Sequence, residues 1–167
     1  GYLKDIVNEG HAIGLHSASH DYKTVYSSEG GFFDDFQKIE DVVFNETGQR
    51  PNIIRFPGGS SNTVSKKYCP GIMTLLTKKV HEKGWEYFDW NVSSGDADGN
   101  HVPVERIISN CKKLPKAAEC NILMHDTAAK GTTVEALPTV IEFYKSQGYS
   151  FSVVTKDSYP AHQPILN

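Results

Sequence analysis

The chain has 167 residues, of which 17 are Lys or Arg and 20 are Asp or Glu, for a formal net charge of −3. A chain of this length buries roughly 70% of its unfolded surface in one core, so a single domain over residues 1–167 is expected. The charge surplus is small and carries no run of like sign, which argues against a nucleic-acid partner, and no apolar stretch reaches the roughly 20 residues of a membrane-spanning helix.

Along the chain one grammar repeats: an amphipathic helix, a glycine or proline stop, then a short apolar strand. Leu3, Ile6 and Val7 mark a helix face ending at Gly10, and His11 to Leu15 follows as a strand. Phe33, Phe36, Ile39 and Val43 mark a second helix, stopped by Gly48 and Pro51 ahead of a strand at Asn52 to Phe56. Ile72, Leu75, Leu76 and Val80 mark a third, ended at Gly84, with a strand over Trp85 to Val92. Val104 to Cys111 reads as a helix and Asn121 to Met124 as a strand. The last helix opens on Thr132-Thr133-Val134-Glu135, a predicted capping box, and closes at Gly148 before a strand at Tyr149 to Val154. Five helix-then-strand units imply parallel strands with right-handed crossovers, hence an α/β fold, either an open sheet or a barrel. No glycine-rich phosphate loop follows any strand, which removes the commonest reason for a doubly wound sheet.

Four polar blocks stand at the ends of these strands. His16 and His20, four residues apart after an apolar run, offer neutral imidazoles to a divalent metal, although two ordinary histidines flanking a polar turn would look the same. Arg55 precedes Phe56-Pro57-Gly58-Gly59 and reads either as a functional cation or as a surface arginine ahead of a turn. Asp89-Trp90 follows Phe88, as a strand end with a buried aromatic would. In Ile122-Leu123-Met124-His125-Asp126 the period of two puts Leu123 and His125 on one face, and a core histidine bonded to a carbonyl is the alternative to a catalytic one. Asp96 and Asp98 in Gly95-Asp96-Ala97-Asp98-Gly99 superficially suggest calcium ligands, but the loop lacks the length and the distal glutamate of an EF-hand and reads as a turn. His11, His81, His101 and His162 have no motif around them and read as surface or structural. Cys69, Cys111 and Cys120 form no CxxC pair, and Cys111 could join Cys120 in a short-loop disulfide if the protein is secreted.

Taken together and in this order, the His-Ser-x-x-His, Arg-Phe-Pro-Gly, Asp-Trp and Leu-Met-His blocks resemble the motif set of the polysaccharide deacetylases, carbohydrate esterase family 4 or the NodB-homology domain. That resemblance implies a distorted (β/α)7 TIM-like barrel, of which this chain would supply about five strand and helix units. The family opens on a Thr-Phe-Asp-Asp-like strand that carries the catalytic base and the third metal ligand, and the chain is expected to lack this strand, so that unpaired strand edges would favour self-association. His16 and His20 would be metal ligands, with zinc the first choice and cobalt or nickel the alternatives. His125 would be the general acid, Asp89 the carboxylate that orients it, and Arg55 the residue that holds the catalytic aspartate. Gly58 would offer its backbone N–H to the oxyanion in place of the tyrosine many relatives carry there, while Trp90 and Leu123 would line the acetyl pocket. The implied activity is removal of N-acetyl groups from N-acetylglucosamine residues of peptidoglycan or a chitin-like polymer, outside the cell or at its surface. An inactive glycan-binding module, or an esterase or small-amide hydrolase on the same fold, are the alternatives.

Overall fold

The computed structural model describes all of residues 1–167. The chain divides into two compact units, one made of Gly1–Asp89 with Val153–Asn167 and the other of Trp90–Ser152.

In the first unit, α1 (Tyr2–Asn8) is followed by the short α2 (Tyr22–Val25) and the long α3 (Glu29–Thr47). The α3 helix starts where the Ser28 side chain accepts from the Gly31 N–H and stops at Gly48, whose φ of 74° is the left-handed turn that glycine adopts without strain. Then come β1 (Ile53–Ile54), α4 (Ile72–Glu82) and β2 (Glu86–Tyr87). The strands are parallel, with Ile53 opposite Glu86 and Ile54 opposite Tyr87. The strand expected over His11 to Leu15 shrinks to one parallel bridge between Leu15 and Ile54. Its backbone is tied by Leu15 N–H to the Ile53 carbonyl at 3.0 Å and Arg55 N–H to the Leu15 carbonyl at 2.9 Å. Leu15, Ile54 and Tyr87 pack with Phe32, Phe36 and Phe56 from α3 and the loop after β1, and with Met73, Leu76 and Val80 from α4. Phe32 and Phe36 stack at 4.2 Å between ring centroids, one turn apart on the buried face of α3.

In the second unit, β3 (Val92–Ser93) lies parallel to β4 (Ile122–Leu123), with Val92 opposite Ile122 and Ser93 opposite Leu123. The expected strand from Trp85 to Val92 is thus two short strands, β2 and β3. The helices α5 (Val104–Cys111) and α6 (Gly131–Ser146) enclose Ile107, Cys111, Ala136, Val140 and Tyr144. The predicted capping box of Thr132 and Glu135 does not form, since α6 begins at Gly131 with no side-chain cap; the neighbouring Thr133 hydroxyl donates to Asp96 at 3.1 Å. Tyr149 to Val154 joins no ladder, and Phe151 and Val153 are 57% and 48% exposed. Alternating side chains there satisfy the strand pattern, but a strand forms only against a neighbouring backbone. All three cysteines are free thiols, and burial pushes the Cys111 thiol up to about 11.

Candidate active site

The first unit carries the histidine pair. The backbone bonds that join Leu15 to β1 lead directly into a side-chain bond, because His16 Nδ1 lies 2.8 Å from the Arg55 carbonyl. A carbonyl can only accept, so Nδ1 is the protonated nitrogen and Nε2 carries the lone pair, the tautomer a metal ligand needs. The His20 ring stands edge-on to it at 5.1 Å, and both residues are exposed.

Between them the chain turns through two unfavourable backbone conformations, with φ of 73° at Ser17 and 50° at His20. Left-handed geometry at non-glycine residues persists only where the surroundings impose it. Here the surroundings are Asp35, buried on α3 at 1% exposure. Its Oδ2 accepts from the Ser17 hydroxyl at 2.6 Å and the Ala18 N–H at 2.9 Å, and its Oδ1 accepts from the Ser19 N–H at 3.2 Å. The Ser17 oxygen in turn accepts from the His20 N–H at 2.8 Å. Burial works to raise the Asp35 pKa, but the bonds donated by Ser17, Ser19 and Ala18 outweigh it and hold the carboxyl below its ordinary value. The Asp35 carboxylate therefore shapes the loop that presents both imidazoles. Sequence reasoning missed it, although an acid three residues after Phe32 and one before Phe36, on the apolar face of a helix, is a detectable signal.

Arg55 runs back along the sheet, its Nε donating to the Phe88 carbonyl at 3.1 Å and its Nη2 to the Asp89 carbonyl at 3.3 Å. Gly58 is exposed at φ 78°. A Cβ there would collide with the Tyr22 hydroxyl and stand 3.2 Å from Asn62 Cβ, so glycine is required for both backbone and space. Tyr22 itself packs edge-on to His20 at 6.0 Å. An aromatic side chain thus does stand over this turn, but it comes from α2 and not from position 58.

Asp89 corrects an expectation. Its carboxylate is fully buried and accepts from the Ser60 N–H at 2.8 Å, from the Ser60 hydroxyl, and from the Gln163 N–H at 2.9 Å, while its own N–H donates to the Pro160 carbonyl at 3.0 Å. Three donors occupy it, and they fasten the turn after Gly59 to the C-terminal segment. It does not serve as the carboxylate that orients His125.

That carboxylate is Asp96, in the second unit. Asp96 Oδ1 is 2.8 Å from His125 Nδ1, and Oδ2 accepts from the His125 N–H at 2.7 Å. The strand register explains the meeting: with Ser93 opposite Leu123, two further residues bring Gly95 level with His125. Asp96 is 1% exposed, and although burial raises its pKa, bonds from His125 and Ser94 hold it below the ordinary carboxylate value. The Lys130 ammonium binds the Asp96 and Gly99 carbonyls and fixes the short helical turn at Asp96–Asp98. What sequence reasoning took for a plain turn holds the partner of the histidine. The β4 alternation sends Ile122 and Met124 to the core of the unit, with Leu123 and the His125 side chain half-exposed on the other face, and Trp90 is half-buried ahead of β3. With Nδ1 bonded to the carboxylate, Nε2 of His125 is the ring nitrogen that does not face Asp96.

Comparison with known proteins accords with these motifs. The family model described as polysaccharide deacetylase matches residues 1–69, which include the histidine pair and the Arg55 to Gly59 turn. A peptidoglycan-N-acetylglucosamine deacetylase of Bacillus cereus is 28% identical over 159 residues, covering 90% of this chain and 53% of that protein. The chain spans about half the length of the first curated relatives it matches. Among solved structures, the catalytic domain of a peptidoglycan N-acetylglucosamine deacetylase from Eubacterium rectale is 40% identical, with a TM-score of 0.93 over 99% of this chain and 75% of that one. The polysaccharide deacetylase Bc1974 from Bacillus cereus is 28% identical, with a TM-score of 0.77 over 98% and 74%. On this similarity in sequence and fold, the chain belongs to the polysaccharide deacetylase family, carbohydrate esterase family 4.

Proposed function

We propose that this chain belongs to a metal-dependent hydrolase that removes N-acetyl groups from N-acetylglucosamine residues of peptidoglycan or a chitin-like polymer. The observation that carries the reading is the buried Asp96 carboxylate bound to both the ring and the backbone of His125, since glycan binding alone needs no ionised acid behind a half-exposed imidazole. The (β/α)7 barrel of the relatives is the architecture that goes with it.

His16 and His20 fit a divalent ion as two imidazole ligands, with the His16 tautomer already set by the Arg55 carbonyl. Zinc is the first choice for this donor type, and when bound it would polarise the acetyl carbonyl and make its water more acidic. The Gly58 N–H would donate to the oxyanion, which the missing side chain leaves open to approach. Water would add to the carbonyl carbon and give its proton to the aspartate base that the resemblance assigns to the family's Thr-Phe-Asp-Asp-like strand; the C–N bond would then break and acetate depart. His125 delivers its Nε2 proton to the leaving nitrogen, and Asp96 stabilises the imidazolium until it does so. Arg55 and Asp89 position: the first braces the backbone of Phe88 and Asp89, the second the Ser60 turn. Trp90 and Leu123 are the proposed acetyl-pocket walls. A polymer substrate places the enzyme outside the cell or at its surface; no helix is long and apolar enough to cross a membrane.

Acetate release from N-acetylated chito-oligosaccharides and from peptidoglycan, measured with the protein in its full natural reading frame, tests the reading. Release that stops with a chelator and returns with zinc is expected. Release that is indifferent to the chelator and to His16→Ala would refute it.

A further inference from the structure

Three side chains without a motif around them converge at a second place in the first unit. His81 lies in the last turn of α4, Glu86 opens β2, and His162 lies in the C-terminal segment, 76 residues beyond Glu86. His81 Nε2 and His162 Nε2 are each 2.9 Å from the same oxygen, Glu86 Oε1, and one ligating atom from each of the three residues lies within 4.8 Å of the others. We propose that this cluster is a second divalent-cation site, of the zinc class, whose role is to fasten the C-terminal segment to α4 and β2.

The site is built before any ion arrives. Tyr87 stacks on the His162 ring at 3.9 Å with 14° between planes and on the His81 ring at 5.3 Å with 26°, so both imidazoles share one aromatic support. The Tyr87 N–H donates to Glu86 Oε1 at 2.9 Å and its carbonyl faces His162 Nε2 at 3.0 Å, which fixes the third ligand and one of the rings. Two Nε2 atoms aimed at one carboxylate oxygen each hold a proton there in the apo protein. A cation takes the place of those protons, the neutral imidazoles then carrying theirs on Nδ1. Two imidazoles and a carboxylate are the donors zinc favours over calcium or magnesium. Tetrahedral zinc separates its ligands by roughly 3.3 Å, so the Nε2–Oε1 distances need to open by only a few tenths of an ångström. The side chains are 45%, 22% and 33% exposed for His81, Glu86 and His162, which leaves water access to the remaining position.

The position also separates this cluster from the His16 and His20 pair. Glu86 stands at the start of β2, whereas Asp89 and the Arg55 turn follow the ends of the parallel strands. His162 is flanked by Pro160, whose carbonyl accepts from the Asp89 N–H, and by Gln163, whose N–H binds the Asp89 carboxylate. A cation on His162 therefore secures the segment that holds Asp89 and, through it, the Ser60 turn.

The test is zinc titration followed by calorimetry and by thermal unfolding, in a His16→Ala background that removes the other imidazole pair. The His16→Ala chain is expected to bind one zinc per chain at micromolar or tighter affinity and to melt at a higher temperature with zinc than without. Adding either His162→Ala or His81→Ala is expected to abolish the binding and the zinc-dependent melting shift, each variant being compared with and without zinc against its own zinc-free curve. If His16→Ala binds no zinc, or if binding survives both second substitutions, the cation site is refuted. Neither outcome touches the deacetylase reading, which rests on other residues.

Discussion

Asp96 grips His125 at two points, with Oδ1 on ring Nδ1 at 2.8 Å and Oδ2 on the backbone N–H at 2.7 Å, so one buried carboxylate sets both the place of the backbone and the orientation of the ring. Thr133, from the first turn of α6, adds a third bond to the same carboxylate. A residue fixed by two bonds to one group cannot rotate its ring without breaking one of them. The Asp96 carboxyl is depressed below its ordinary value, so it is ionised throughout the neutral range.

Asp89, by contrast, is a structural acid. Asp89→Ala leaves the Ser60 and Gln163 N–H groups without an acceptor in a fully buried place, at a cost of roughly 3 kcal/mol. Urea unfolding should show the loss as a lower midpoint with an unchanged slope. An unchanged midpoint would mean that these bonds contribute nothing to stability.

Asp35→Asn keeps the size of the side chain but turns an acceptor-only group into one that must present an NH2 to one of its donors. The Ser17 to Ser19 turn should relax out of its left-handed conformations, and zinc affinity at His16 and His20 should drop about 10- to 100-fold, as for other residues that orient a ligand. Titration in a His162→Ala background isolates this pair. Equal affinity in Asp35→Asn and its parent would show that the loop needs no support.

Gly58→Tyr should destabilise this protein. The left-handed φ costs about 1–2 kcal/mol for a residue with a side chain, and the new Cβ meets the Tyr22 hydroxyl. Tyr22→Ala in the same chain should recover only the steric part of the loss. A melting temperature for Gly58→Tyr equal to the parent's would show that Tyr22 does not occupy that space.

Much of the architecture was legible because helices announce themselves over many residues. Val104–Cys111 was read to its ends, and α3, α4 and α6 within a few residues, from apolar spacing and glycine stops. Of the five expected strands, three contain short strands, His11 to Leu15 keeps one bridge at Leu15, and Tyr149 to Val154 forms none, because a strand depends on partners elsewhere in the chain. The histidine pair and the Arg55 turn could be picked out because their signals are local. The partner of His125 could not. Asp89 and Asp96 are seven residues apart, each follows a strand-like run, and only the pairing of Ser93 with Leu123 decides which of them reaches the histidine. Register between distant strands is a property of the fold and leaves no mark on either segment alone. Asp89 beside Trp90 was the more familiar pattern, but the carboxylate bonded to His125 is that of Asp96.

The pH dependence of acetate release in Asp96→Asn, set against Asp89→Asn and the parent, tests the central claim most directly. In the proposed mechanism His125 is the acid, so activity needs its protonated form and is lost as pH rises. Removing the Asp96 charge removes what favours that form, and the basic limb should therefore move to lower pH in Asp96→Asn, with a rate loss on the order of 10²–10⁴-fold. In Asp89→Asn the basic limb should stay where it is in the parent, whatever happens to stability. A basic limb that moves in Asp89→Asn and stays in place in Asp96→Asn would contradict the account.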